Sequence, residues 1–568
     1  MSTSLVELRV LDGANLYFSR AAVKLTLDVT ALVDAPAPAA KAYAQAVGLG
    51  ATRPGRIGSG FRQRFAIRVT GHVVRRIARE AGIGRIGVRV RPESDNHRLV
   101  VAFPWAHEQR ARALAAAIVE VLDAFGAEHL PELMTTVGER VRNEPPGNVP
   151  PTIRPKVPVV AVTGTNGKTT TSRMIAHIGR AAGLHVGWSS TDGVYFDGEL
   201  VKYGDFSGPS GAGQVLSQPG IQLAVTETAR GGILRRGVGV ASNDVSVVTN
   251  VTADHLGLGG IDTVDQLAEV KAVITQITRP RGWCVVNGDD PRTFAMRLGS
   301  PAKCWVFSRD PDSPSIRAVL DEGGRATTVL DGFITVLDQA TDPEPLLKVV
   351  DVPMTLSGLS HYNVENALAA ASAALGLGLP RAAVIEGLSS FAPNENNPGR
   401  MNMYSLRGFT VVIDLAHNEA GLEALLEIMN GVRHEGSRLL LALGSPGDRA
   451  DDMVSALGAI GARGADQVAI GHKSEYLRGR PPSELEAVFR EGAASVGVDD
   501  VPAYPTELEA AQSLVAQAQP GDVVAVMSLQ DRASLDGWLR SEGATVDTPE
   551  DLKSKVERAQ PRVGGRGN

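Results

Sequence analysis

Lys168 and its neighbours are where this sequence can do chemistry. In Val-Pro-Val-Val-Ala-Val-Thr-Gly-Thr-Asn-Gly-Lys-Thr-Thr-Thr, residues 157–171, an apolar β-branched run meets a glycine turn, and Lys168, Thr169 and Thr170 then open a helical pattern. Such a turn aims backbone N–H groups and a helix N-terminus at a phosphate. The Lys168 ammonium can neutralise β- and γ-phosphates, and the Thr169 hydroxyl is placed to hold Mg²⁺. The fuller P-loop pattern asks for a glycine where Val162 stands, whereas the shorter form Gly164-Thr165-Asn166-Gly167-Lys168-Thr169 is intact. A chance glycine turn is the alternative. Strand, glycines, lysine and threonine standing together in register argue against it.

Further reactive groups follow at the ends of apolar runs. Residues 221–227 form one such run and finish on Glu227, and an α/β sheet displays its functional groups at strand ends. A cap for the next turn is the alternative role for that carboxylate. The run 245–249 is followed by Asn250, Asp254 and His255. In 264–277, Lys271 shares the helical arc of Leu267, Val270 and Ile274, so it must snorkel, pair or take part in chemistry. Gly447-Asp448-Arg449 and residues 475–480 are candidate substrate-recognition loops or solvated loop charges.

The elements that must position these groups are legible as periodicities. Residues 1–145 read as an α+β region, with strands at 7–12, 23–29, 85–91 and 99–103 and helices at 73–81 and 108–125. The run Arg75, Arg76, Arg79, Arg85, Arg89 and Arg91 is locally basic and lacks an aromatic platform, which favours a solvated face or a pocket for an acidic group over a nucleic-acid site. A proline-rich linker covers 146–157. Residues 158–396 alternate strand and helix, the signature of a mostly parallel sheet. Within them, 316–320, 326–330, 333–337 and 346–350 read as a small appended antiparallel sheet, and a helix runs from Ser360 to Gly376. A second α/β domain spans 397–557, with strands at 409–413, 438–443, 467–470 and 523–527, and 558–568 read as a disordered tail.

Taken together the motifs resemble the Mur ligase superfamily. They are Gly164 to Thr170, Thr191-Asp192-Gly193, Glu227-Thr228-Ala229-Arg230-Gly231-Gly232-Ile233-Leu234-Arg235, Thr249-Asn250 with Asp254-His255-Leu256-Gly257, Asn287 with Asp289-Asp290-Pro291, Pro398-Gly399-Arg400, and Asp414 with Ala416-His417-Asn418. The string from Glu227 to Arg235 looks like the cyanophycin synthetase branch, and Leu11-Asp12-Gly13-Ala14-Asn15 looks like that branch's N-terminal domain. One departure stands out: that branch carries an ATP-grasp domain where this linker runs straight into the phosphate turn. The resemblance implies a central P-loop ATPase domain, a C-terminal Rossmann-like domain and an ADP-forming amide ligase. ATP and Mg²⁺ would be joined by an acidic small-molecule or peptide substrate and an amine. Thr169, Glu227 and His255 would hold metal. Lys271 would take up CO₂ as a carbamate, an ion-paired lysine being the alternative. Asn287, His361, Asn363 and Asn366 would lie on the adenine side or serve as loop and cap groups. Arg400 would reach phosphate and Asp414 ribose as the domains close. The family allows dimers and larger assemblies.

Composition narrows the rest. A length of 568 residues suggests roughly three or four domains. A net charge of −6 provides no general field for nucleic acid. No run nears the roughly 18 apolar residues of a membrane span, and the N-terminus lacks the pattern of a signal peptide. Cys284 and Cys304 are in no Cys-x-x-Cys pair and read as buried thiols of a reducing, cytoplasmic compartment. A nucleotide-binding pseudo-ligase and a P-loop kinase or motor ATPase are the competing functions. The set Lys168, Glu227, His255 and Lys271 exceeds what mere binding needs, and the incomplete P-loop speaks against the kinase.

Overall fold

The computed structural model describes residues 2–50, 52–127, 129–254 and 256–559. Among them the strands form three sheets, of four, eleven and seven strands. The N-terminal sheet joins Ser4–Leu11, Ala22–Asp28, Arg98–Pro104 and Arg89–Pro92 in that spatial order, antiparallel throughout. Its core helix is Gly60–Glu80, far longer than the 73–81 that periodicity suggests. Ser59 caps it by accepting from Arg62 N, and Phe65, Val69, Val73 and Ile77 make its buried stripe. Arg64, Arg68, Arg75 and Arg79 occupy the solvent face of that helix. Helix Ala37–Ala46 escapes the sequence reading because its alanines blur the period, and Leu130–Asn143 is missed although Leu130, Met134, Val137 and Val141 carry a regular buried stripe.

The prolines after Asn143 do not make a loose tether. Thr152 hydroxyl donates to Asp12 O, Ile153 N to Gly239 O at 3.0 Å and Ala241 N to Ile153 O at 2.8 Å. Arg236 pairs with Asp12 at 2.6 Å, so the N-terminal domain is docked on the middle one.

The middle sheet has a parallel centre. Lys303–Phe307, Thr278–Asn287, Asn243–Val248, Val159–Thr163, Leu223–Glu227 and Val186–Ser190 lie side by side in that order. Both faces are covered, which is why these strands read as unbroken apolar β-branched runs. The strands Arg325–Leu330, Phe333–Asp338 and Glu344–Lys348 extend this sheet at one edge, their hairpins antiparallel as expected but continuous with the main sheet and not separate from it. The expected strand at 316–320 is instead the helix Pro314–Asp321. Ser313 at the cap and Pro314 in the first turn override the β-branched content that suggested a strand.

Helix Lys168–Ala181 packs on the sheet beside His361–Gly376, which covers the neighbouring strands, and against Arg381–Ser389. Gly387 lets the last of these approach: a methyl there would lie 2.7 Å from Ile178 Cα. Gly387→Ala is therefore expected to destabilise the protein by ~1–3 kcal/mol, the usual cost of overpacking, read as a lower urea midpoint with an unchanged slope.

The C-terminal sheet runs Ala503–Tyr504, Gln467–Gly471, Leu439–Leu443, Val523–Met527, Phe409–Asp414, Asn402–Leu406 and Thr545–Val546. It is parallel except for its last two strands. The final helix, Pro549–Ala559, takes in residues 558 and 559, where a disordered tail was expected to begin; the remainder of that tail, 560–568, lies outside the described residues. No helix of the described residues is long and apolar enough to cross a membrane.

Candidate active site

The site gathers where the strand ends of the middle domain face the hinge and the C-terminal domain. Gly164 and Gly167 have φ of +154° and +83°. A methyl on Gly164 would lie 1.8 Å from Thr249 Oγ1, and one on Gly167 2.2 Å from Asn366 Oδ1, so only glycine fits either position. The turn between them is pinned from outside. Thr165 N donates to Asn250 O and Asn166 N to Asn250 Oδ1, both at 2.9 Å, while Thr249 hydroxyl donates to Asn166 O at 2.6 Å. Lys168 Nζ folds back onto Thr165 O at 2.8 Å, and burial lowers its pKa.

Glu227 is 1% exposed. Its Oε2 accepts from Thr169 Oγ1 at 2.8 Å, and its Oε1 is buried with no partner among the described residues. Burial raises its pKa despite the nearby Lys168. Thr191 Oγ1 stands 3.4 Å from Thr169 Oγ1. An orphaned carboxylate oxygen beside hydroxyls, at the mouth of a phosphate turn, is the donor set of a hard cation that completes its shell with phosphate and water. Mg²⁺ fits it. Among the described residues no three His, Cys, Asp or Glu side chains gather as a self-contained metal cage. His255 lies outside the described residues.

Lys271 is 3% exposed, and its Nζ donates to Gly164 O at 2.5 Å. It ends the helix Val264–Lys271, which breaks at Ala272 where one continuous helix was expected. Burial, aided by Lys168, lowers its pKa well below the usual lysine range.

The C-terminal domain adds groups across the cleft. Arg400 Nη2 donates to Thr169 Oγ1 at 3.4 Å, and its Nε is buried with no partner among the described residues. Asp414 accepts Met401 N at 2.8 Å and Ala416 N at 2.7 Å, so its carboxylate fixes the hinge that aims Arg400. Asn418 Nδ2 reaches Asn166 Oδ1 at 3.1 Å, and Arg449 pairs with Asp254 at 2.7 Å. His417 Nδ1 lies 2.9 Å from Leu415 O, which fixes it as the protonated nitrogen of a ring that burial keeps neutral, its pKa pushed down to about 4.

The expected adenine-side residues divide. Asn287 Nδ2 donates to Thr249 O at 2.9 Å and to Glu365 Oε2 at 3.3 Å. Asn366 instead braces the phosphate helix from behind: its Oδ1 accepts Thr171 hydroxyl at 3.1 Å, and its Nδ2 donates to Asn363 Oδ1 at 3.1 Å. His361 is exposed and stands 3.6 Å from Glu427 of the helix Glu419–Val432. Sequence reasoning passed over Arg173, a charge on the otherwise buried face of the phosphate helix, and over Arg532 and Asn397, whose partners lie hundreds of residues away.

Comparison with known proteins agrees with this geometry. A Mur ligase middle-domain profile matches residues 162–374, and a profile for the Mur ligase glutamate ligase domain matches 399–529. The chain is 41% identical over 347 residues to cyanophycin synthetase of Crocosphaera subtropica, covering 61% of this chain and 39% of that one. It thus spans about two-fifths of the length of such relatives. It is 31% identical over 378 residues to UDP-N-acetylmuramyl-tripeptide synthetase of Deinococcus radiodurans, covering 64% of this chain and 71% of that one. The solved structure of E. coli FolC in complex with DHPP and ADP shares the fold, with a TM-score of 0.50 at 21% identity, over 69% of this chain and 90% of that one. With its phosphate turn, buried Glu227 and hinge arginine in a middle and C-terminal domain pair of this kind, the chain belongs to the Mur ligase family.

Proposed function

We propose that the chain is an ATP-dependent, ADP-forming amide ligase. It passes the γ-phosphoryl group of ATP to a substrate carboxylate, and an amine then attacks the acyl carbon and releases phosphate. The observation that carries this reading is the convergence of Glu227 and Arg400 on the Thr169 hydroxyl, with the Lys168 charge acting on Glu227 from the phosphate turn and Arg400 coming from the hinge. Phosphoryl transfer requires positioning and charge neutralisation more than covalent help. The turn 164–169 supplies N–H donors to the phosphates, Lys168 and Arg400 neutralise charge that grows on the transferring oxygens, and the closed cleft excludes water that would hydrolyse the acyl phosphate.

Thr169 and Glu227 would hold Mg²⁺, with Thr191 next to Thr169, and His255 would be a further metal ligand by resemblance. The bound ion supplies charge neutralisation at the phosphates. Lys271, neutral because buried, attacks CO₂ through its Nζ and loses one proton to become a carbamate, so a negative charge then faces the phosphate turn. The acid is an aspartyl or glutamyl compound, peptide or small molecule, of the kind the cyanophycin synthetase relatives suggest, and the amine is an amino acid. Arg449 and the 475–480 loop border the amine's approach.

The test is ADP release with ATP and Mg²⁺ over a matrix of aspartyl and glutamyl acids against free amino acids, with products weighed by mass spectrometry. ADP and a condensed product that both require one acid–amine pair are expected. ATP binding without ADP in any pair would overturn the reading.

A further inference from the structure

Asp192 sits in the turn between Val186–Ser190 and Gly193–Phe196, 11% exposed, and no role has so far fallen to it. Its two oxygens divide between two domains. Oδ2 accepts from Arg173 Nη2 at 2.8 Å, and Oδ1 from Arg532 Nη2 at 2.7 Å. Arg173 is 3% exposed and belongs to the phosphate helix Lys168–Ala181. Its other nitrogen donates to Asn397 Oδ1 at 2.9 Å and to Pro398 O at 3.3 Å, at the hinge itself. Asn397 Nδ2 closes the loop by donating to Thr170 Oγ1 at 3.1 Å. Arg532 belongs to the C-terminal helix Arg532–Ser541 and lies across Gly399, where a methyl would stand 2.5 Å from its Nη1. The hinge residues that aim Arg400 are thus gripped from the phosphate helix by Arg173 and covered from the far domain by Arg532, with one carboxylate binding both guanidiniums.

We infer that Asp192 is a positioning residue for the ligase reaction proposed above, and that its pair with Arg532 is the hinge-side latch which, opposite the Arg449–Asp254 pair across the cleft, holds the C-terminal domain over the phosphate site with Arg400 aligned. Arg173 stays with the middle domain whichever way the hinge turns, so only the Arg532 half of the cluster must break on opening. A charge pair buried at a domain interface suits this use, because its geometry is met in one arrangement of the domains and lost in others. Loss of the latch leaves the ATP-contacting turn intact and costs alignment alone, so turnover falls and KM for ATP holds.

The test uses the full chain with reporter dyes at Ser217→Cys and Ser495→Cys, exposed positions on the two domains; the native Cys284 and Cys304 are buried and do not label. Arg532→Gln and Asp192→Asn are expected to populate longer inter-dye distances without substrates. Arg532→Lys, which keeps the cation, recovers most of the short-distance population. Turnover in Arg532→Gln falls ~10-fold while KM for ATP changes less than about 2-fold, and adding Arg532→Gln to Asp192→Asn lowers it by less than about 2-fold more, as for two halves of one interaction. Distances unchanged from the parent in both single variants, or effects that multiply in the double variant, would overturn the inference. Distance needs no turnover, so failure of every acid–amine pair would sink the ligase reading and leave the latch to be decided by the dyes.

Discussion

Glu227→Gln is expected to lower ADP formation by ~10²–10³-fold, the usual loss when one preorganised charge-stabilising group is removed from such a site. The substitution keeps an oxygen able to accept from Thr169, so the local hydrogen bond survives, and only the anionic oxygens are lost. Oε1 is the informative atom. It is buried with no partner among the described residues, an arrangement that is costly unless something else is held there. Two further results follow. The ligand-free variant melts no lower than the parent, because a buried carboxylate whose pKa burial has raised opposes folding once ionised. Mg²⁺ with ATP raises the melting temperature of the parent and raises that of Glu227→Gln much less, since a ligand stabilises only the state that binds it. Equal stabilisation of both proteins in a thermal melt would remove Glu227 from the metal site, whatever the activity shows.

Lys271→Met is expected to abolish turnover, again by ~10²-fold or more, and to stabilise the fold. In CO₂-free buffer, where Lys271 is a free amine, its depressed folded pKa leaves the native state short of a proton that the unfolded chain binds, up to the unfolded value of about 10.4. Stability carried by the parent therefore rises with pH through that window, and the advantage of Lys271→Met is largest at low pH and fades toward about pH 10. Near neutral pH a gain of ~2–4 °C in melting temperature corresponds to about 1 kcal/mol in a domain of 150–250 residues. A variant that is dead and less stable would mean that Lys271 is a structural donor to Gly164 O and nothing more. Carbamate formation has its own readout: ¹³C-labelled bicarbonate gives a carbamate resonance in the parent that Lys271→Met lacks.

The residues legible in the sequence are those whose chemistry is local. Gly164 to Thr169 announce a phosphate turn because a strand, two left-handed or extended glycines and a helix start must follow one another there, and the structure has each in place. Glu227 was legible as the last residue of an apolar strand, and Lys271 as a charge on an apolar arc. The helix at 314–321 was misread because Ile316, Val319 and Leu320 weigh toward a strand, whereas the Ser313–Pro314 start decides the outcome. The spacing of Asn366 is visible in the motif, but the hydrogen bond it accepts from Thr171 is not, because that bond depends on how two helices pack. The Asp192 cluster is beyond any local reading. Arg532 is 340 positions from Asp192 and Asn397 is 224 from Arg173, and only the fold brings these groups together.

The docking of the N-terminal domain makes it a fixed wall of the middle domain and not a mobile arm. Thr152, Ile153 and Asp12 tie that domain to the strands and helix beside Arg230–Arg236, so it does not travel on a tether. The seam between the two domains is therefore a built part of the molecule. Its cavity of ≈ 360 Å³, lined by Gly259, Gly260, Ile261 and Asp262 of the middle domain and by Arg9, Lys24 and Arg91 of the N-terminal one, keeps its position relative to the middle sheet.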